Sequence, residues 1–273
     1  MENNHTQHGE PIGEADPGLA GWDDPLASLR RALDQDELQI YCQPIMSLQG
    51  RGEKYPMAEV LVRLREEEES MLAPGDFIPV FEHYRMMTEL DCWVARKTVE
   101  WIAESRSGSI GAYTINVSSQ SLDDMKLPEY IQSTLLRCGV KPETLGVEID
   151  EVDTLHRAEA SARFSQAMRD IGCRVVIDGF ARRSVSFTSL KALSPRFVKV
   201  DGAVIRKILA SSVAQLKLQA IVRVCDVASI DIIAECVEEP EIVAQLTRMS
   251  VGFAQGFGIA LPQPIEAGGF PPG

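Results

Sequence analysis

The chain lacks a surplus of positive charge, a long apolar run and any closely spaced pair of cysteines. Acidic residues outnumber basic ones, giving a formal net charge of −13 and a pI near 4.8. A polymeric DNA or RNA partner normally needs a basic face, so this balance argues against one. A small anionic ligand stays possible if metal ions supply the positive charge. No run approaches the ~20 apolar residues of a membrane span. The N-terminus has no basic patch followed by an apolar segment, so no secretory leader is expected. Six cysteines (Cys42, Cys92, Cys138, Cys173, Cys225, Cys236) are scattered without a CxxC pair and read as reduced, mostly buried residues of a cytoplasmic protein. The four histidines (His5, His8, His83, His156) are dispersed, which argues against zinc.

What is present is an ordinary globular composition, 45% hydrophobic and 25% charged, enough for a sizeable core. Residues 1–22 are rich in Gly, Pro and acidic residues and read as a disordered tail; a barrel is expected over 23–267, and 268–273 as a flexible end. Pro25 suits a first helical position, with Leu26, Leu29, Ala32 and Leu33 at helical spacing. LQIYCQPI (38–45) and MAEVLVRL (57–64) read as strands, antiparallel because their connection, around Gly50 to Gly52, is short. Glu66 to Glu69 read as a solvated loop. Helices are expected over 74–82 and 86–104, the second sending Leu90, Trp93, Val94 and Trp101 to the core.

From residue 111 strand and helix alternate. Strands are expected at 111–117, 145–150, 174–178, 196–200, 231–235 and around Phe253, with helices near 127–138, 155–171, 184–192, 202–209, 213–227 and 239–248. Six such strands imply a parallel sheet, and the two early strands bring the number to eight. The expected fold is α/β, a TIM-like (β/α)8 barrel with one antiparallel strand near the N-terminus, its active groups at the carboxyl ends of the strands.

A short apolar run followed by one polar group recurs along this region. RVVIDGFARR carries Asp178, TINV carries Asn116, LGVEID ends in Glu148 and Asp150, FVKVD carries Lys199 and Asp201, DIIAE ends in Glu235 and GFAQG carries Gln255. Glu59 stands among Val60, Leu61 and Val62, where a carboxylate needs a partner or a cation. Singly these have structural readings: Glu148 as a strand-end carboxylate paired with an arginine, Lys199 as a surface cation, Asn116 as a turn former. Together, Glu59, Asn116, Glu148, Asp178 and Glu235 would place four carboxylates and an amide oxygen in one cavity, which repels itself unless divalent cations bind. Oxygen ligands select magnesium, manganese or calcium, and two such ions ~3.5 to 4 Å apart are standard apparatus for phosphodiester hydrolysis.

Over about residues 26–265 the chain resembles the EAL domain, the cyclic di-GMP phosphodiesterase barrel of bacteria. AEVLVR corresponds to the naming signature with Val60 in place of its alanine. APGDFIP, INVSSQSL, LGVEIDE, VVIDGF, FVKVDG, IIAECVE and GFAQGFGIALP follow in the family's order. The resemblance implies Mg2+ or Mn2+ as cofactor. Glu59, Asn116, Glu148 and Asp178 would ligate a first ion, and Asp178 and Glu235 a second. It implies catalytic roles for Lys199, Glu235 and Glu59, with Lys199 holding or polarising water. Gln43, Arg63, Asp201 and Gln255 would line the nucleotide site, and Glu151 would steady the loop after the Asp178 strand. It also implies a homodimer, and the protein effector stays unknown.

The departure lies at Asp178-Gly179-Phe180-Ala181-Arg182-Arg183, where active members carry two consecutive aspartates and then Phe-Gly-Thr-Gly. Gly179 offers no carboxylate, so the second ion loses a ligand, costing roughly three orders of magnitude in rate if that ion supplies several kcal/mol to the transition state. Arg182 and Arg183 read as solvated loop cations or as groups able to approach a phosphate. Three readings follow in order: a cyclic di-GMP receptor with hydrolysis lost or strongly reduced, a weak phosphodiesterase producing linear pGpG, and a nucleotide-free protein-interaction module.

Overall fold

Runs of β-branched residues pair here into one closed sheet. The structure, a computed structural model, describes residues 22–50, 54–65, 71–105, 110–183 and 187–265. Of the tail expected over 1–22, residues 1–21 lie outside the described residues, as do the acidic run 66–69, the C-terminal end 268–273 and the start of the helix expected from 184, whereas Trp22 packs against the core.

Helix α1 (Pro25–Asp34) begins where Asp24 accepts the Ala27 amide and proline fills the first position. Strand β1 (Leu38–Ser47) runs antiparallel to β2 (Met57–Arg65), with Gln43 opposite Glu59. A two-residue β3 (Met71–Leu72) extends the edge of β2 and leads into α2 (Pro74–His83) and α3 (Met87–Glu104). Then come β4 (Ala112–Val117), the single turn α4 (Ser119–Leu122), α5 (Lys126–Cys138) and β5 (Leu145–Asp150). The helix expected over 155–171 is two, α6 (Glu151–His156) and α7 (Ala158–Ile171). The Asp150 carboxylate caps the Val152 amide and starts a helix directly at the strand end, so the chain must break at Arg157 before α7. Next are β6 (Arg174–Phe180), α8 (Phe187–Leu193), β7 (Phe197–Val200), the short α9 (Gly202–Ile205) and α10 (Ser212–Ala228). β8 (Asp231–Ala234), α11 (Pro240–Arg248), β9 (Phe253–Ala254) and a two-residue β10 (Gln263–Pro264) complete the described chain.

Around the ring the order is β1, β9, β8, β7, β6, β5, β4, β2 and back to β1. Neighbours from β2 through β9 are parallel, and β1 is antiparallel to both strands beside it. This is the expected eight-stranded barrel with one reversed strand; the two-residue β3 and β10, which carry too little pattern to be read, are additions to β2 and β1. β5 and β7 are buried along almost their whole length, as parallel strands covered on both faces must be. Leu90, Trp93, Val94 and Trp101 are buried, so the aromatic stripe of α3 is packing. All six cysteines are free, but only Cys42, Cys173 and Cys225 are buried. Cys236 is exposed, because it follows β8 at the barrel mouth in a left-handed conformation with φ 53°. Among the described residues no helix is long and apolar enough to cross a membrane.

One buried carboxylate ties the helical layer to the sheet. Asp91 of α3 accepts from the Ser118 amide (2.9 Å), the Ser118 hydroxyl (2.6 Å) and the Ser121 hydroxyl (2.7 Å), so it fixes the turn that follows β4. Burial pushes its carboxyl up to about 6, against the pull of those three donors. A folded value above the unfolded one means the folded state holds this proton more tightly. Its contribution to stability is therefore fully present below about pH 4 and is lost as pH rises to about 6. Asp91→Asn removes the titration, so wild type should lose up to about 3 kcal/mol relative to the variant between those limits. Urea unfolding at pH 4.5 and pH 7 reads this difference, and a pH-independent gap contradicts it.

Candidate functional site

The barrel interior is built in two levels. Ile45, Met57, Ala112, Val176, Phe197 and Ile233 pack with Phe253 as an apolar floor, in which the Phe197 and Phe253 rings meet edge to face at 5.8 Å. Two residues along each strand brings the chain back to the same face about 7 Å higher. That step turns 57 into Glu59, 112 into Thr114, 176 into Asp178, 197 into Lys199, 233 into Glu235 and 253 into Gln255; on antiparallel β1 it runs from Ile45 back to Gln43. On β5 Gly146 precedes Glu148 by the same step, and Asn116 lies one further step up β4, opposite Glu148. The sequence-predicted ligands thus converge at the carboxyl ends of the strands.

Lys199 stands at their centre. Its Nζ lies 2.7 Å from Glu59 Oε2 and 2.8 Å from Glu148 Oε2, and 3.5 Å from both Asp178 Oδ1 and Glu235 Oε1. With 1% exposure it is no surface cation. Amide groups complete the shell: Asn116 Nδ2 donates to Glu59 Oε1 at 2.8 Å, and Gln255 Nε2 donates to Glu59 Oε2 at 2.7 Å and to Gln43 Oε1 at 3.2 Å. Gln43 Nε2 in turn donates to the Ala260 carbonyl, and the Thr114 hydroxyl donates to Glu148.

Four carboxylates around one ammonium cannot all be comfortable. Burial, then the neighbouring Glu59 charge, pushes Glu148 up to about 8. Burial also pushes Glu235 well above the ordinary carboxylate range. Burial acts the same way on Glu59, but the charge of Lys199 and its three hydrogen-bond donors outweigh it and hold the carboxyl below its usual value. For Lys199 burial disfavours the ammonium, yet Glu148, Glu59, Asp178 and Glu235 together keep it charged.

Among the described residues no three His, Cys, Asp or Glu side chains stand ready as a metal cluster, because Lys199 occupies the space the carboxylates share. The donor set nevertheless suits a hard divalent cation: it is all oxygen, and Asp178 Oδ1 is buried without a hydrogen-bond donor. Asp178 and Glu235, the two carboxylates held loosely by Lys199, are also the more exposed pair.

Asp178 and Gly179 lie on a bulge. Between Ile177 and Phe180 β6 has one residue more than β7 has between Val198 and Val200, and Gly179 takes up the irregularity at φ 63°. The loop beyond is anchored by Glu151, whose carboxylate accepts the Ala181 amide at 2.8 Å and the Arg183 amide at 3.3 Å. Lys217 of α10 donates to the Ala181 carbonyl.

Other predicted residues stand apart from the carboxylate cluster. Arg63 is four residues beyond Glu59 on β2, about 13 Å toward the mouth, lying over the Tyr41 ring and donating to the Val62 carbonyl. Asp201 caps α9 through the Ala203 amide with one oxygen and accepts Arg182 Nε with the other. Thr114 and Lys217 escaped the sequence reading. The two-residue step from Ala112 through Thr114 to Asn116 was a usable signal for the first, whereas nothing local marks the second.

An eight-stranded α/β barrel whose mouth gathers four carboxylates, a buried lysine and three amide side chains defines a barrel class suited by donor chemistry to hard cations. A family model described as EAL domain matches residues 26–262, and the chain belongs to that family. The cyclic di-GMP phosphodiesterase PdeB of Shewanella oneidensis is 29% identical over 240 residues, 88% of this chain and 28% of that protein. The cyclic di-GMP phosphodiesterase PdeF of Escherichia coli is 27% identical over 241 residues, 87% of this chain and 31% of that protein. The chain therefore spans about three-tenths of the length of these curated relatives. The FimX EAL domain from Pseudomonas aeruginosa bound to c-di-GMP shares the fold, with a TM-score of 0.79 at 23% identity, covering 88% of this chain and 96% of that one.

If Lys199 is what keeps these carboxylates together, Lys199→Met should lose about 3 to 5 kcal/mol at pH 7.5 without divalent ions. Lowering the pH to 5.5 should restore part of the loss, because Glu59, no longer held below its usual value by the lysine charge, then takes a proton. Urea midpoints at the two pH values test this; a variant as stable as wild type at pH 7.5 refutes it.

Proposed function

We propose that this chain is a cyclic di-GMP signalling domain that binds the nucleotide at the barrel mouth with hydrolysis lost or strongly reduced. The observation that carries the reading is the pairing of a retained oxygen-ligand set with Gly179, which provides no side chain where a second ion would need one. Glu59, Asn116, Glu148 and Asp178 would hold one Mg2+ or Mn2+, and Asp178 with Glu235 would hold a second weakly. Such ions, when bound, supply positive charge to a phosphodiester and acidify bound water.

The chain's own groups have distinct parts in this reading. Lys199 compensates the carboxylates and holds a water, Gln255 and Gln43 orient Glu59, and Glu151 keeps the loop after β6 in place. Arg63 and Asp201, at the rim, belong to the nucleotide site. A homodimer and a protein effector remain part of the reading as partners of the domain.

A second reading is favoured by the names of the relatives: a metal-dependent phosphodiesterase producing linear pGpG. Titrating cyclic di-GMP in Ca2+ and then following linear product in Mg2+ or Mn2+ separates the two. The receptor reading expects micromolar binding with turnover about a thousandfold below that of an active homologue. Rapid hydrolysis by the unmodified chain establishes the phosphodiesterase instead. Absence of binding with any divalent ion leaves a protein-interaction module.

A further inference from the structure

The guanidinium of Arg182 lies across the ends of three strands. Its Nε donates to Asp201 Oδ2 at 2.7 Å, beyond β7, and its Nη1 donates to Asp150 Oδ2 at 2.9 Å, at the end of β5. Between them it rests on Gly179 of β6. A Cβ at position 179 would stand 2.3 Å from Arg182 Nη2 and 2.6 Å from Cζ. A side chain at 179 would therefore displace this guanidinium from its seat. Gly179 and Arg182 are two halves of one device.

The seat is built rather than incidental. Asp150 and Asp201 each spend one oxygen capping a helix, on the Val152 and Ala203 amides, so both carboxylates are fixed before they meet the arginine. The loop backbone is fixed as well: the Arg182 amide donates to the Gly179 carbonyl, and Ala181, at φ 70°, is gripped by Glu151 and Lys217. With Nε and Nη1 engaged, Nη2 has no hydrogen-bond acceptor among the described residues. A guanidinium held by two carboxylates keeps its charge, and Nη2 keeps N–H donors of the kind that phosphate oxygens accept.

Resting on the reading that this mouth binds a cyclic dinucleotide, we propose that Arg182 is a nucleotide-binding residue. It serves as the built-in second cation of the site, offering Nη2 to a phosphodiester oxygen, so that the nucleotide is held with a single divalent ion. A fixed guanidinium contributes charge without the bound water that a metal ion activates. This accounts for binding and slow hydrolysis through the same substitution. It also changes what position 179 can do. Restoring a carboxylate there by Gly179→Asp places it against Arg182, which takes it as an ion-pair partner and denies it to a metal.

The test uses the full chain. Cyclic di-GMP affinity is measured by calorimetry in Ca2+, and bound Mn2+ is counted by electron paramagnetic resonance at saturating nucleotide, for wild type, Arg182→Gln, Gly179→Asp, and Gly179→Asp combined with Arg182→Thr. Wild type should bind nucleotide with one Mn2+. Arg182→Gln should weaken the nucleotide about tenfold or more while keeping that ion. Gly179→Asp alone should still bind one ion, and the double variant two. Arg182→Lys, which keeps the charge but loses the fork, carries the test should Arg182→Gln fail to fold, and a severalfold loss of affinity is then expected. Unchanged affinity in the Arg182 variants, or two Mn2+ in wild type, overturns the role of Arg182 and leaves nucleotide binding standing. Failure of wild type to bind nucleotide at all overturns the receptor reading and this inference with it.

Discussion

A single ammonium group surrounded by carboxylates from four strands is the constraint on which the upper half of this barrel depends. Lys199 joins β2, β5, β6 and β8 through Glu59, Glu148, Asp178 and Glu235. A buried charge of either sign would be costly alone, and the arrangement persists because each compensates the other. The match is unequal. Two contacts are hydrogen-bonded at 2.7 and 2.8 Å, while the two at 3.5 Å leave their carboxylates poorly satisfied. That imbalance makes the centre receptive to further positive charge on the side of Asp178 and Glu235.

The rest of the architecture keeps that centre in register. The eight-residue pairing of β1 with β2 closes the ring and sets Gln43 opposite Glu59, and β9 then brings Gln255 to both. Among the described residues, the bulge in β6 is the one irregular step in the pairing. It leaves Asp178 facing Lys199 while Phe180 returns to the core, and only a residue free to adopt positive φ with no side chain in the way suits both the bulge and the arginine above it.

Much of this was legible in the sequence, for a physical reason. Parallel barrel strands are short and apolar, so a polar residue at the end of one is conspicuous, and period-two alternation assigns it a face. Asp178, Lys199, Glu148, Asn116 and Glu235 stand out by that rule, whereas the single reversed strand was read from the short connection between β1 and β2. What escaped depends on pairing between distant segments. That Asp91 answers Ser118 and Ser121, or that Arg182 spans Asp150 and Asp201, has no local signature. Composition marked the cysteines as core residues, but Cys236 follows a strand end at the mouth and is exposed. Arg182 could be read only as a loop cation until Gly179 was seen to be its seat.

The aromatic floor has a consequence of its own. Because Phe197 and Phe253 pack edge to face within the apolar layer beneath the polar groups, those groups are approached from the rim. Under the proposed function, a nucleotide settled over the rim would be a stopper for an ion beneath it, so the order of arrival would matter: the ion would descend first and leave last. Residence time of the small species would thereby be set by the large one.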